Sequence, residues 1–324
     1  MKMKALIGEK LIIKSKYIEG NALANSSNVA IYILHSKNSE GKPILLFLPG
    51  FLGTGKGMLF NSDPLSENMY EKLQRLYLNN KIKGYNYIFP NFKTNIGGCQ
   101  YTNSGVAGFY EDFIIKELIP KLKKRFQSND IAILGKSSGG YAAISFAIKH
   151  NDIINAAMDH SGDAYFEYCY LHDFPKAREA IEPFGSAEAW LRNYMSKKNR
   201  KQSNDLTVLN IVAMAAYYSK TKKIQLPFDI YTGELIDEIW QNWLSMDPVR
   251  MVDFAYSGLK QMKFLGIDVG LLDQYNLLLG NRILHSKLSD NKVPHFYEEF
   301  DDTHTNISYR YDISIPLLEK ALQD

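Results

Sequence analysis

The 324-residue chain has only two cysteines, Cys99 and Cys169. Two thiols so placed form neither a disulfide framework nor a zinc-ligand pattern, and they are expected to be free in a reducing compartment. Charge of one sign is also missing. Lys and Arg number 38 against 35 Asp and Glu, a formal +3, which excludes the dense basic face of a nucleic-acid binder. The clusters Lys121–Arg125 and Lys197–Lys201 read as a helix C-terminus and an exposed connector. No apolar run approaches the roughly 20 residues of a membrane span, and no N-terminal stretch combines an apolar core with a cleavage site. No repeat or low-complexity segment is present. These absences lead to the expectation of a cytoplasmic protein with no membrane or nucleic-acid partner. A homodimer is left open.

The hydrophobic patterning supplies a fold. Lys10–Ile18 and Val29–Leu34 read as early antiparallel strands and Ile44–Leu48 as a buried one. Strands near Tyr87–Phe89, Ile131–Leu134, Ala156–Met158, Lys263–Ile267 and His295–Glu299 then alternate with helical stretches. Such alternation predicts an α/β architecture with a mainly parallel central sheet and helices on both faces. At this length one domain, residues 1–324, is expected. Between about 163 and 262 the pattern turns helical and aromatic, with Trp190, Trp240 and Trp243, and only Pro227–Tyr231 reads as a strand. This is expected to be a helical insertion that builds a largely apolar substrate pocket.

The most informative stretch is Ile131-Ala132-Ile133-Leu134-Gly135-Lys136-Ser137-Ser138-Gly139-Gly140. An apolar strand runs into G-x-S-x-G and then into a small-residue helix, the shape that lifts a serine hydroxyl above a sheet. Ser137 is the candidate nucleophile. Its activation needs a base and a carboxylate to orient that base, and with this elbow their chain order is Ser, then Asp or Glu, then His. Of seven histidines, only His304 lies in a polar loop after a late strand and downstream of a suitable acid. For that acid Asp268 and Asp273 compete. Asp273 is preferred because it sits in the loop before the helix expected at about Tyr275–Leu288, where a carboxylate can turn toward the imidazole. The plainer role for Asp273 is to cap that helix.

A tetrahedral intermediate also needs fixed N–H donors. Ser138 offers one. The other is expected from Phe51 or Leu52, where the strand Ile44–Leu48 breaks into Pro49-Gly50-Phe51-Leu52-Gly53. The same loop continues to Gly55-Lys56-Gly57 and mimics a phosphate-binding P-loop, but Gly57 lacks the hydroxyl that would hold magnesium.

These pieces, with Gly97–Ser104, Gly108–Phe113, Asp159–Asp163, Leu226–Phe228, Thr232–Leu235 and Asp247-Pro248, resemble the esterase D and enterochelin-esterase-like group of α/β-hydrolases. That group includes S-formylglutathione hydrolases, feruloyl esterases and mycolyltransferases. The resemblance implies the α/β-hydrolase fold, a small-molecule ester or thioester substrate, no cofactor or metal, and Ser137, Asp273 and His304 as the triad. One departure is visible: Lys136 stands where many relatives have histidine. The same triad would also serve an acyltransferase with a non-water acceptor, and a fold alone would allow an inactive binding protein.

Overall fold

The computed structural model describes residues 5–200 and 203–323. Ten strands are present among them: β1 (Ile7–Lys14), β2 (Asn28–His35), β3 (Ile44–Leu48), β4 (Asn86–Asn91), a short hairpin of β5 (Asn103–Ser104) and β6 (Gly108–Phe109), β7 (Ile131–Lys136), β8 (Ala156–His160), β9 (Phe264–Gly270) and β10 (Phe296–Phe300). Eight of them form one sheet in the order β1-β2-β4-β3-β7-β8-β9-β10. β2 runs antiparallel to both β1 and β4, and every pairing from β4 to β10 is parallel. This is the α/β-hydrolase fold.

β3 is apolar and buried at every position, and β7 from Ile131 to Leu134, because both faces of the sheet are covered. In β3, Ile44, Leu46 and Leu48 face one core and Leu45 and Phe47 the other. In β7, Ile131 and Ile133 join the first core, and Ala132 and Leu134 join the second. The first core also holds Trp190, Trp240, Trp243 and much of the 16-residue helix Ser203–Tyr218. That helix belongs to the helical stretch of chain between β8 and β9.

Two sequence expectations are corrected. The first strand ends at Lys14, not Ile18, because the Ser15 hydroxyl accepts from Tyr17 N and turns the chain. Pro227–Tyr231 forms no strand. Asp229 Oδ1 accepts from the backbone N–H groups of Tyr231 and Thr232, bending the segment so that a single bridge, Phe228 to Leu235, remains.

The crossing of β7 with the helix that follows it is set by glycine. A Cβ on Gly139 would lie 1.7 Å from the carbonyl oxygen of Leu48, and one on Gly135 would lie 2.4 Å from both that oxygen and the carbonyl carbon of Gly139. Backbone meets backbone here, with no side chain able to yield. Gly139→Ala is therefore expected to destabilise the protein by about 3 kcal/mol or more, beyond ordinary overpacking, in urea denaturation.

Candidate active site

Ser137 follows β7 directly and precedes the helix Ser138–Lys149. Its φ of 57° and ψ of −123° lie in a region L-residues rarely occupy, at a cost of about 1–3 kcal/mol. Neighbours hold it there. Ser137 N donates to His160 O at 2.9 Å, and Ser137 O accepts from Tyr141 N at 2.8 Å. The loop after β3 passes close by, since a Cβ on Gly50 would lie 3.3 Å from the Ser137 Cβ.

The loops after β9 and β10 bring the other two candidates together. His304 Nδ1 lies 2.8 Å from Asp273 Oδ2, the Asp273 side chain is fully buried, and His304 is only 5% exposed. His304 N donates to Gln274 Oε1 at 3.0 Å, and the Tyr275 ring stands edge-on to the imidazole at 4.8 Å. Asp273 is not the N-cap, a position Asn276 occupies; its Oδ1 accepts from Tyr275 N at 2.9 Å in the turn before the helix and reaches Leu277 N at 3.4 Å. One carboxylate thus shapes its own loop and orients the imidazole. The following helix runs Leu277–Asp290, two residues later than expected.

Asp268, the rival acid, has different partners. Its Oδ1 lies 2.7 Å from His160 Nδ1 and its Oδ2 accepts from Arg310 Nε at 2.9 Å, while His160 Nε2 lies 2.9 Å from Ser314 Oγ. This second serine, histidine and aspartate set is closed to solvent, for Asp268 and Ser314 have no exposure and His160 has 1%. It ties β8 and β9 to the C-terminal helix Tyr311–Ala321. Among the other histidines, His285 stacks on Tyr297 at 3.9 Å and His150 pairs with Glu111 at 2.8 Å.

Ser138 opens its helix, where backbone N–H groups are unsatisfied by the helix itself. Phe51 is half-buried and Leu52 exposed. Their loop is held by three contacts. Gly53 N donates to Gly50 O at 2.8 Å, Tyr101 Oη donates to Pro49 O at 2.6 Å, and a Cβ on Gly98 would lie 1.4 Å from Phe51 O. The Gly98–Ser104 segment is anchored in turn: Tyr217 Oη donates to Gly98 O, Thr102 Oγ1 to Tyr217 O and Ser104 Oγ to Ala216 O. Residue-by-residue reading gave Tyr101 no role, since a lone tyrosine in a glycine-rich stretch carries no signal of what it supports. The P-loop mimic ends in a short helix, Gly55–Phe60, with Thr54 accepting from Gly57 N.

The electrostatics join these loops. Lys136 is half-buried; burial lowers its pKa and the Asp273 carboxylate acts to raise it. Asp163 is pushed up by burial, while hydrogen bonds from Tyr170 at 2.7 Å and Gln100 at 2.9 Å and the nearby His304 act to lower it. Among the described residues no cluster of three or more His, Cys, Asp or Glu could hold a metal, and no helix is long and apolar enough to cross a membrane.

Asp159 is buried against Gly140 and Gly162, and neither carboxyl oxygen is hydrogen-bonded. Burial first, then the charge of Asp268, pushes its pKa well up, and the nearby Gly162 backbone N–H, too poorly placed for a full hydrogen bond, only partly offsets this. The native state therefore keeps a proton that the unfolded chain releases near pH 4, and stability falls as pH rises from there. Asp159→Asn should remove this decline. Relative to the parent, its urea midpoint is expected to rise between pH 4 and pH 7.

A family model described as "Putative esterase" matches residues 98–315, more than half of the chain. Comparison with curated proteins gives no match. Solved structures similar to it include a ferulic acid esterase, 15% identical with a TM-score of 0.60, covering 99% of this chain and all of the other. The S-formylglutathione hydrolase of Agrobacterium tumefaciens is 13% identical with a TM-score of 0.62, covering 99% and 98%. The fluorophosphonate-binding serine hydrolase F of Staphylococcus aureus is 17% identical with a TM-score of 0.57, covering 99% and 100%.

Proposed function

From the premise that the chain belongs to this esterase family and is a hydrolase acting on ester bonds, we propose that it is a serine carboxylesterase working through an acyl-enzyme, with Ser137 as nucleophile, His304 as base and Asp273 as orienting acid. The observation that carries the reading is the 2.8 Å contact of His304 Nδ1 with Asp273, joined to the strained elbow at Ser137. A carboxylate on Nδ1 fixes the proton there and leaves the Nε2 lone pair to take the serine proton.

Attack by Ser137 Oγ on the ester carbonyl forms the new C–O bond as that proton passes to His304. Asp273 stabilises the resulting imidazolium. The carbonyl oxygen takes up negative charge, held by the N–H of Ser138 and of Phe51 or Leu52. Collapse expels the alcohol, or a thiol from a thioester, which takes the proton from His304. Water activated by the same imidazole then releases the acid. The chemistry uses side chains and backbone alone.

Incubation with a fluorophosphonate followed by peptide mapping tests this reading. A single adduct at Ser137, blocked when a p-nitrophenyl ester competes, is the expected result. An adduct elsewhere, or ester turnover by fully labelled protein, would overturn it.

A further inference from the structure

A cavity of about 860 Å³ opens on the side of the molecule formed by the helix Ala187–Ser196, and Ser137, Asp273 and His304 do not line it. Glu188, Leu191, Arg192 and Met195 present one stripe of that helix to it, at the i, i+3, i+4 and i+7 positions that share a face. Leu23, Ile96, Val106 and Ile224 complete an apolar wall. The size lies within the range of small-molecule sites, which are mostly apolar with a few placed polar groups.

The charge at this cavity is one-sided. Arg192, Lys222 and Lys223 line it, and none of the three has a hydrogen bond or ion pair through its side chain among the described residues. The acid in the wall, Glu188, is already engaged: its Oε1 accepts from Ile224 N at 2.8 Å. It fixes the backbone of one wall and offsets one of the three cations. An apolar wall beside an excess of unpaired cations is complementary to a molecule with an alkyl chain and one negative end.

We propose that this cavity is a binding site for an amphiphilic carboxylate, its alkyl chain against Leu23, Ile96, Leu191 and Met195 and its acid group met by Arg192, Lys222 and Lys223. The occupant lies outside the proposed catalytic centre and is bound, not turned over. Its wall does adjoin that centre's support. Ile96 precedes Gly97 and Gly98, and a Cβ on Gly97 would lie 3.1 Å from the Phe51 ring and 3.2 Å from Leu52.

Isothermal titration calorimetry of the full chain with sodium decanoate, decan-1-ol and decyltrimethylammonium tests the proposal independently of ester turnover. Decanoate is expected to bind at least tenfold more tightly than decanol, the cation not at all, and the decanoate affinity should fall as salt rises. The exposed triple substitution Arg192→Glu, Lys222→Glu and Lys223→Glu should weaken decanoate at least tenfold and leave decanol within twofold. Met195→Trp, which fills the cavity, should abolish both. A thermal midpoint near that of the parent checks that each variant is folded. Equal affinities for decanoate and decanol would overturn the proposal, as would absence of decanoate binding at millimolar concentration. Binding that survives both the charge reversal and Met195→Trp would place the ligand elsewhere and overturn it too.

Discussion

Ser137→Ala is expected to lower kcat on a short-chain p-nitrophenyl ester by about 10⁴–10⁶, with KM changed by less than about tenfold. The methyl side chain keeps the elbow but has no oxygen to attack with, so the substrate still docks and only the chemical step is lost. What remains would come from oxyanion donors and binding acting on water. The stronger test is non-additivity. If Ser137, His304 and Asp273 act as one unit, then once Ser137 is gone the base has no proton to take. The double variant Ser137→Ala with His304→Ala should fall to the same floor as Ser137→Ala alone. Losses that multiply would mean two independent contributions, and the three residues would not be one machine. Asp273→Asn, which keeps the shape but can reverse the proton on Nδ1, should cost about 10⁴ in kcat.

Asp268→Ala is expected to act on stability, by about 3–5 kcal/mol in urea denaturation. Its carboxylate is the shared partner of the His160 imidazole and the Arg310 guanidinium, and all three are buried. Removing it leaves the buried His160 Nδ1 and Arg310 Nε without their shared partner, and Arg310 keeps only Glu298 at the rim. Glu298, the other partner of Arg310, is 39% exposed at its side chain, so Glu298→Gln should cost no more than about 1 kcal/mol. The two aspartates make a crossed test. Asp273 substitutions should damage turnover far more than stability, and Asp268 substitutions the reverse. A folded Asp268→Ala protein with turnover as low as Ser137→Ala, beside an active Asp273→Asn, would exchange their assignments.

The elbow was legible because its requirements are local. Two glycines, a serine and four apolar residues in a row state both the strand and the close approach of its helix, and the clash distances at Gly135 and Gly139 give the reason. The sheet was legible from the doubly buried strands. Segments whose conformation depends on one side chain were read less well: the Ser15 hydroxyl ends β1 early, and Asp229 replaces an expected strand with a turn. The pairing of His160 with Asp268 and Ser314 spans 108 and 154 residues. No sequence pattern announces such a contact, which is why the sequence alone leaves Asp268 a rival to Asp273 for the acid. Tyr101 escaped for the same reason, since what it holds, the Pro49 carbonyl, lies 52 residues away.

The attachment of the long helix Ser203–Tyr218 has a consequence for how this chain can diverge. Thr102 and Ser104 grip that helix through the carbonyls of Tyr217 and Ala216, and a carbonyl is supplied by whatever amino acid stands there. The grip is therefore blind to identity on the helix side. Ala216 itself is constrained by packing, being fully buried, but exposed positions of the surrounding helical region can change without loosening the turn that Tyr101 holds against Pro49. Sequence change can work on one side of this joint while the other stays in tune.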